Sequence, residues 1–222
     1  NLKHQAAMSV AYGAGLRGGE VVAVWGAGGV GQMAARAAYL LGAEKVIVID
    51  RFPERLEQAA KYCGAIPLDY TAGDVLDALR DLTAGRGPDA CIEAVGMESH
   101  GPGPQYVYDR VKQAMRLQTD RGLTLRQAIT ACRKGGTVSV VGVFGGVVDK
   151  FPMGAVVNKS LTLRSGQQHG QRYIPMLLQR MADGEIQTSH LTTHSMPLSE
   201  APHGYDLFTT KEEGCVRAVF HP

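Results

Sequence analysis

The sequence predicts an α/β fold, a doubly wound parallel sheet of six strands with helices on both faces. Three observations predict it. Short apolar runs recur at residues 21–25, 46–49, 66–69, 90–95, 137–143 and 161–164. Stretches of helical periodicity separate most of them, and strands alternating with helices argue for a parallel sheet. The first run leads straight into Gly26-Ala27-Gly28-Gly29-Val30-Gly31, and a helical pattern follows from Gln32 to Leu41.

Taken in order, residues 1–17 read as an entry segment whose Ala6, Ala7, Ala11 and Ala14 suit close packing. Gly18-Gly19-Glu20 turns into the first strand. The second strand ends in Asp50. Pro53 then suits a first helical position and Glu54 the first turn. Leu56, Ala59, Ala60 and Cys63 make a helical stripe that Gly64 closes. Asp74 caps the next helix, with Val75, Leu76, Leu79 and Leu82 on its apolar face. Gly85-Arg86-Gly87-Pro88 is a loop before the fourth strand.

Residues 97–124 break the rhythm. Gly101-Pro102-Gly103-Pro104 is loop chemistry, and helical patterns follow at 106–117 and 123–132. The stretch is longer than an ordinary crossover and reads as an insertion projecting from the sheet. The β-branched fifth strand and a sixth strand at 161–164 come next. A helix at 173–181 ends at Gly184, another covers 198–208, and a last strand covers 215–220. The organisation expected is therefore an entry segment at 1–17, a nucleotide-binding unit at 18–188 and a tail at 189–222.

Strand, glycine turn, helix, strand and acid fall within about 30 residues, the length of a dinucleotide-binding fingerprint of the Rossmann type. Gly26 permits the tight turn, Gly28 leaves the backbone open to a diphosphate, and Gly31 lets the helix approach the sheet. Unpaired amides and the helix dipole favour an anion there. Asp50 can accept hydrogen bonds from both ribose hydroxyls and would repel a 2′-phosphate, so NAD is favoured over NADP. Arg51 and Arg55 bear on the same choice, since either could meet a phosphate. The alternative is a glycine-rich turn that binds nothing, in a chain with 28 glycines.

The net charge of +2, without like-charge blocks, suggests neither nucleic acid nor a membrane surface. Arg36 and the glycine cluster rule out a membrane span in the first apolar stretch. Cys63, Cys91, Cys132 and Cys215 are far apart and read as free thiols in a reducing cytosol. Residues 1–10 lack the apolar core of a signal peptide. His190, His194 and His203 lie close in sequence, but Thr192, Thr193 and Pro197 argue against the helix that would align them on a metal. Asp89 and Glu93 read as a polar lead-in and a pocket-edge residue rather than an acid–base pair.

The segments VVAVWGAGGVG, VIVIDRFPERL, GRGPDACIEAVG, KGGTVSVVGVFGG, NKSLTLRSGQQH and HSMPLSEAPHGYDLF together resemble the medium-chain, zinc-containing alcohol dehydrogenase superfamily. The resemblance runs from about Gly18 to the end and is closest to glutathione-independent formaldehyde dehydrogenase-like members. It implies an NAD site in which Gly26, Gly28, Gly29, Val30 and Gly31 hold the pyrophosphate. Asp50, with Arg51 and Arg55 nearby, meets the adenosine ribose, and Val95 borders the adenine. His100 falls where that branch often has a cofactor-contacting arginine; a solvent-exposed loop histidine is the other reading. Val141 and Val143 offer main-chain groups near the nicotinamide, and Gly166 and Gln168 complete that end.

Full-length members of that superfamily place a catalytic domain first, with the ligands of a catalytic zinc and a proton relay. The last of those ligands falls near Leu2, which cannot bind zinc. The resemblance therefore implies no catalytic residue and no metal ligand in this chain, with zinc confined to an absent catalytic domain. It implies NAD(H) and that domain as partners, and a homo-oligomer formed through the edge strand near 161–164. Leu191, Met196, Leu198, Leu207 and Phe208 of the tail are expected to lack their usual packing partner and either to pack in a new place or to drive self-association. Three functions stay open: the nucleotide half of a dehydrogenase, inactive by itself; a stand-alone nucleotide-binding or regulatory module; and a zinc-free NADPH reductase, against which Asp50 argues.

Overall fold

The computed structural model describes residues 18–97, 121–166 and 170–222. Six strands form one parallel sheet: β1 (Val21–Trp25), β2 (Lys45–Asp50), β3 (Ile66–Asp69), β4 (Ala90–Glu93), β5 (Thr137–Val140) and β6 (Thr162–Ser165). Their spatial order is β3-β2-β1-β4-β5-β6. The order reverses between β1 and β4, so a crevice opens beyond the carboxyl ends of those two strands. The helices are α1 (Gly29–Leu40), α2 (Pro53–Cys63), α3 (Val75–Leu82), α4 (Leu123–Ala131), α5 (Met153–Asn158), α6 (Gly170–Ala182) and α7 (Ala201–Thr210).

The period of two along each strand sorts the core into two layers. Val22 and Val24 of β1 join Val46 and Val48 of β2 beneath α1, α2 and α6. Val21, Ala23 and Trp25 join Ile47 and Ile49 beneath α3, α4 and α5. Both faces of β1 and β2 are thus covered, which explains why they read as unbroken apolar runs. Small residues on α1, including Ala34, Ala35, Ala37 and Ala38, are fully buried and bring that helix close to the sheet. Asp74 accepts from the amides of Leu76 (2.8 Å) and Asp77 (3.0 Å) at the start of α3, as its position predicts.

Several boundaries differ from expectation, each for a local reason. β4 stops at Glu93 because the Glu93 side chain turns back onto the amides of Val95 and Gly96. β5 stops at Val140 because the amides of Val141 and Gly142 both point to the Glu93 carbonyl, so the ladder ends there. β6 runs one residue later than predicted, and α5 is a helix the periodicity does not show. Residues 1–17, the helical pattern at 106–117, His100 and Gln168 lie outside the described residues.

Most of the tail's apolar residues pack within the chain, one of the two outcomes expected. β7 (His194–Pro197) and β8 (Ala218–His221) pair in parallel, bridged by α7. Met196, Leu207 and Cys215 form a small core of their own with Ala218 and Phe220. Leu191 is fully buried in the α1–α2–α6 layer beside Ile186 and Val216. Of the five residues expected to lack a partner, only Leu198 (61% exposed) and Phe208 (45%) keep large apolar surface in solvent. All four cysteines are free and buried. Burial pushes the Cys63 thiol up to about 12, Arg36 opposing, so it is inert at neutral pH. No helix among the described residues is long and apolar enough to cross a membrane.

Candidate functional site

The crevice between β1 and β4 is built from its glycines. Gly26 has φ +100°, and a side chain there would meet Val95 and the Ala94 carbonyl at 3.0–3.2 Å. The loops after β1 and β4 therefore touch. Gly31 packs still more closely: a Cβ would lie 1.7 Å from the Gly26 carbonyl oxygen. Gly28 is the opposite case, with nothing within 4 Å of where a Cβ would sit. The space in front of Gly28 is open, and the twelve-residue α1 begins behind it with Gly28 as N-cap. No side chain caps that end and no acidic residue occupies its first turn. Gly29, Val30 and Gly31 thus present their amides and the positive end of the helix dipole toward the opening.

Asp50 has a role beyond the one predicted. At 8% exposure, its Oδ2 accepts from the Ala27 amide at 2.7 Å, and its Oδ1 accepts from Arg51 N at 2.7 Å and Phe52 N at 3.4 Å. The acid that ends β2 holds the glycine turn that follows β1. A carboxylate offers about four acceptor positions, so capacity for a hydroxyl remains. Arg51 and Arg55 both lie over the Phe52 ring, 4.8 Å from its centre. Arg55 also donates to the Cys215 carbonyl at 3.0 Å, tying α2 to the tail.

The other predicted positions are less uniform. Val95 is half-buried beside Gly26, in the loop after β4 rather than within the strand. Val141 and Val143 also lie past their strand rather than in it. Val143 is 69% exposed and its carbonyl already accepts from the Met97 amide at 2.9 Å. Gly166 follows β6 in open surroundings.

Glu93 is fully buried beneath the crevice rather than at its edge. Its Oε1 accepts from Gly96 N (2.8 Å), Thr124 Oγ1 (2.8 Å) and Val95 N (3.0 Å). Burial raises its pKa, and these hydrogen bonds oppose the shift without cancelling it. Asp89 lies at the far end of β4 and is likewise buried. Its partners are Val21 N, Arg133 and Arg86. The two acids brace opposite ends of one strand and do not form an acid–base pair. His190, His194 and His203 occupy three different elements, with His190 stacked on Tyr62 at 4.4 Å.

Sequence reasoning missed Gln32 and Gln58. Gln32 is fully buried and donates through Nε2 to the Ala27 carbonyl (2.9 Å) and to Gln58 Oε1 (3.2 Å). The available signal was an amide side chain directly after Gly31, at the head of a run of small apolar residues.

Comparison with known proteins shows what the chain is similar to. Residues 29–102 match the zinc-binding dehydrogenase family model. An uncharacterised zinc-type alcohol dehydrogenase-like protein, AdhB of Bacillus subtilis, is 33% identical over 210 residues, covering 94% of this chain and 54% of that protein. Over the matched half, the chain is similar to zinc-type alcohol dehydrogenases. Among solved structures, alcohol dehydrogenase TADH from Thermus sp. ATN1 superposes with a TM-score of 0.81 at 36% identity, over 97% of this chain and 56% of that one. The alcohol dehydrogenase rspB from E. coli CFT073, solved with NADH, shares the fold at a TM-score of 0.77 and 19% identity, over 98% and 56%. The chain spans about half the length of the relatives it matches. Its six-stranded parallel sheet with covering helices has the fold of the superposed part of these alcohol dehydrogenase structures.

Proposed function

We propose that the chain binds NAD(H) across the switch point and orients the nicotinamide for hydride transfer in a larger zinc-dependent alcohol or aldehyde dehydrogenase. The observation that carries this reading is the open space at Gly28, set before an uncapped helix and beside the Asp50 carboxylate. A diphosphate fits there: it would meet the amides of Gly29, Val30 and Gly31 without a side chain in the way. Asp50 would accept from an adenosine-ribose hydroxyl while still holding Ala27. Val95 would flank the adenine, and the chain past β5 and β6 (Val141, Val143, Gly166) would border the nicotinamide end. When bound, the nicotinamide supplies the hydride acceptor or donor. The protein supplies orientation and electrostatic complement.

Among the described residues no group of three His, Cys, Asp or Glu side chains could hold a metal ion. These residues therefore do not fit a zinc site, and no step is assigned to one. In this reading zinc belongs to a catalytic part that residues 189–222 would help complete, and the substrate is an alcohol or aldehyde hydrate. The narrower formaldehyde dehydrogenase-like reading rests on the sequence motifs alone. A cytoplasmic location accords with four free thiols. The alternative, a nucleotide-binding or regulatory module without catalysis, shares the same first step.

Calorimetric titration of the 222-residue chain tests the reading. NADH is expected to bind about tenfold or more tightly than NADPH, because the Asp50 carboxylate faces the 2′ position. Asp50→Ala should weaken NADH by at least about tenfold, since it removes the ribose acceptor and releases the Ala27 amide. Equal affinity for both dinucleotides would overturn the NAD preference, and no binding of either would overturn the function. Zinc-dependent alcohol oxidation by this chain alone would contradict the assignment of catalysis elsewhere.

The proposed self-association rests on β6. All four of its residues are exposed and it forms the edge of the sheet beyond β5. Such an edge pairs readily with a second strand. Sedimentation velocity should show a dimer that Leu163→Lys disperses; a monomer at high concentration would rule out pairing through this edge.

A further inference from the structure

We infer that Gln32 is a positioning residue for diphosphate binding, acting through the Ala27 peptide as the inner link of a Gln58–Gln32–Ala27 relay. The inference rests on the nucleotide reading above and assigns a determinant within it. Both ends of the Ala27 peptide unit's residue are fixed by side chains from elsewhere. The Ala27 amide donates to Asp50 Oδ2 at 2.7 Å, and the Ala27 carbonyl accepts from Gln32 Nε2 at 2.9 Å. The same Nε2 donates to Gln58 Oε1 at 3.2 Å, which anchors the relay on α2.

The orientation of the Gln32 amide is set by its neighbours. Nε2 lies between two oxygens, so a flipped amide would place an oxygen against both. In the orientation present, Oε1 is buried with no hydrogen-bond partner among the described residues. An apolar side chain would not carry that orphaned acceptor, and Gln32 sits among Met33, Ala34 and Ala35, which are all buried and apolar. What the amide supplies is the donor at its other end. With the Ala27 carbonyl drawn toward Gln32, the chain that follows turns its amides at Gly29 and Val30 toward the open space at Gly28. Without that donor the carbonyl is free to rotate toward the opening. There it would face the diphosphate with the wrong charge. The polar link therefore sets the sign of the potential at the turn, which packing alone does not do.

The test uses Gln32→Leu, Gln32→Glu and Gln58→Leu in the full chain. NADH and ADP-ribose, which share the diphosphate, should both bind about tenfold more weakly to Gln32→Leu. Gln58→Leu should shift both in the same direction by a smaller factor. Gln32→Glu supplies the diagnostic readout. Ionised, it has no proton to donate to Ala27; protonated, it has one. Its NADH affinity should recover as pH falls from 8 to 6, while the wild-type affinity changes little.

Amide hydrogen exchange in the ligand-free chain provides a readout independent of nucleotide. Exchange at Ala27 should quicken in Gln32→Leu, while protection in β1 and β2 is retained. A folded Gln32→Leu with wild-type affinity and wild-type exchange at Ala27 would overturn the inference. So would a Gln32→Glu affinity that is weak but insensitive to pH. If the wild type fails to bind NADH or ADP-ribose, the nucleotide reading falls and this role with it, whereas a binding wild type with unchanged variants defeats only the role of Gln32. Should Gln32→Leu not fold, Gln58→Leu and the pH profile of Gln32→Glu decide.

Discussion

Gly31→Ala is expected to lower the melting temperature sharply and to abolish measurable NADH binding, whereas Gly28→Ala is expected to lose binding alone. At Gly31 the added carbon would sit 1.7 Å from the Gly26 carbonyl oxygen and 2.8 Å from its carbon. Both obstacles are backbone, so nothing can swing aside. The turn would have to move by more than an ångström. That motion breaks the Gly26 N–Ile49 O bond (2.8 Å) and the Ala27–Asp50 bond (2.7 Å) that fix it to β2. A cost of about 3 kcal/mol or more is expected for such overpacking. For a chain of this size that is roughly a 6–12 °C drop in Tm. Gly28, by contrast, has φ −70° and ψ −177°, extended backbone that alanine adopts, and open space around it. Its methyl group would leave stability within about 0.5 kcal/mol of wild type while occupying the space proposed for the diphosphate. Circular dichroism melts and NADH titration of the two variants check the pair. Equal destabilisation by both, or a Gly31→Ala variant of normal stability, would contradict the packing described.

Asp89→Ala is expected to destabilise the sheet without touching the crevice. Asp89 accepts from the Val21 amide at 2.8 Å and pairs with Arg133 and, at 3.3 Å, with Arg86. Its own carbonyl accepts from Thr137 N at 3.1 Å. One residue thus joins β1, β5 and the segment after α4. Truncation leaves the Val21 amide without its acceptor, but Arg86 and Arg133 keep access to water. The expected loss is therefore about 2–3 kcal/mol, below the range for a fully enclosed ion pair.

The pH dependence of that loss is fixed in sign. Burial by itself would raise the Asp89 pKa. The Val21 amide, Arg133 and Arg86 outweigh it and hold the carboxyl below the ordinary carboxylate range. A carboxyl with a lowered folded-state pKa stabilises the fold above its unfolded value, near pH 4, and the contribution is lost as pH falls through the folded value. Urea titrations at pH 7 and pH 3 should therefore show the wild type and Asp89→Ala converging at the lower pH. Because Asp89 lies at the end of β4 remote from Gly28, NADH affinity of the folded variant should match wild type. A variant that is as stable as wild type at pH 7, or a gap that widens on acidification, would refute the role.

The local periodicities of the chain were enough to establish its layered architecture. Val21–Trp25 and Lys45–Asp50 are apolar on both faces because both faces are covered, and that shows as unbroken hydrophobic runs. The glycine spacing at 26, 28 and 31 announced the turn, the open approach and the close helix contact, and each is present as a distinct steric environment. Pro53 at the start of α2, left-handed Gly64 at its end and Asp74 at the start of α3 are likewise local signals that hold.

Strand ends and the roles of buried polar groups were decided only in three dimensions. Glu93 looked like a pocket-edge acid from its place in a strand. Its bond to Thr124, 31 residues away, and its hold on the two amides beyond it make it a buttress. Asp50 was legible as an acid at a strand end, but its grip on Ala27, 23 residues earlier, was not. The same holds for Gln32 with Gln58, and for Asp89 with Val21 and Arg133. The tail shows the same division: its hydrophobic residues were visible, but which of them would find partners was not. Hydrophobic pattern is a property of neighbours in sequence, because burial repeats with the pitch of a strand or helix. A buried polar group is satisfied by whatever donor or acceptor the folded chain brings to it, and spacing along the chain carries no record of that meeting.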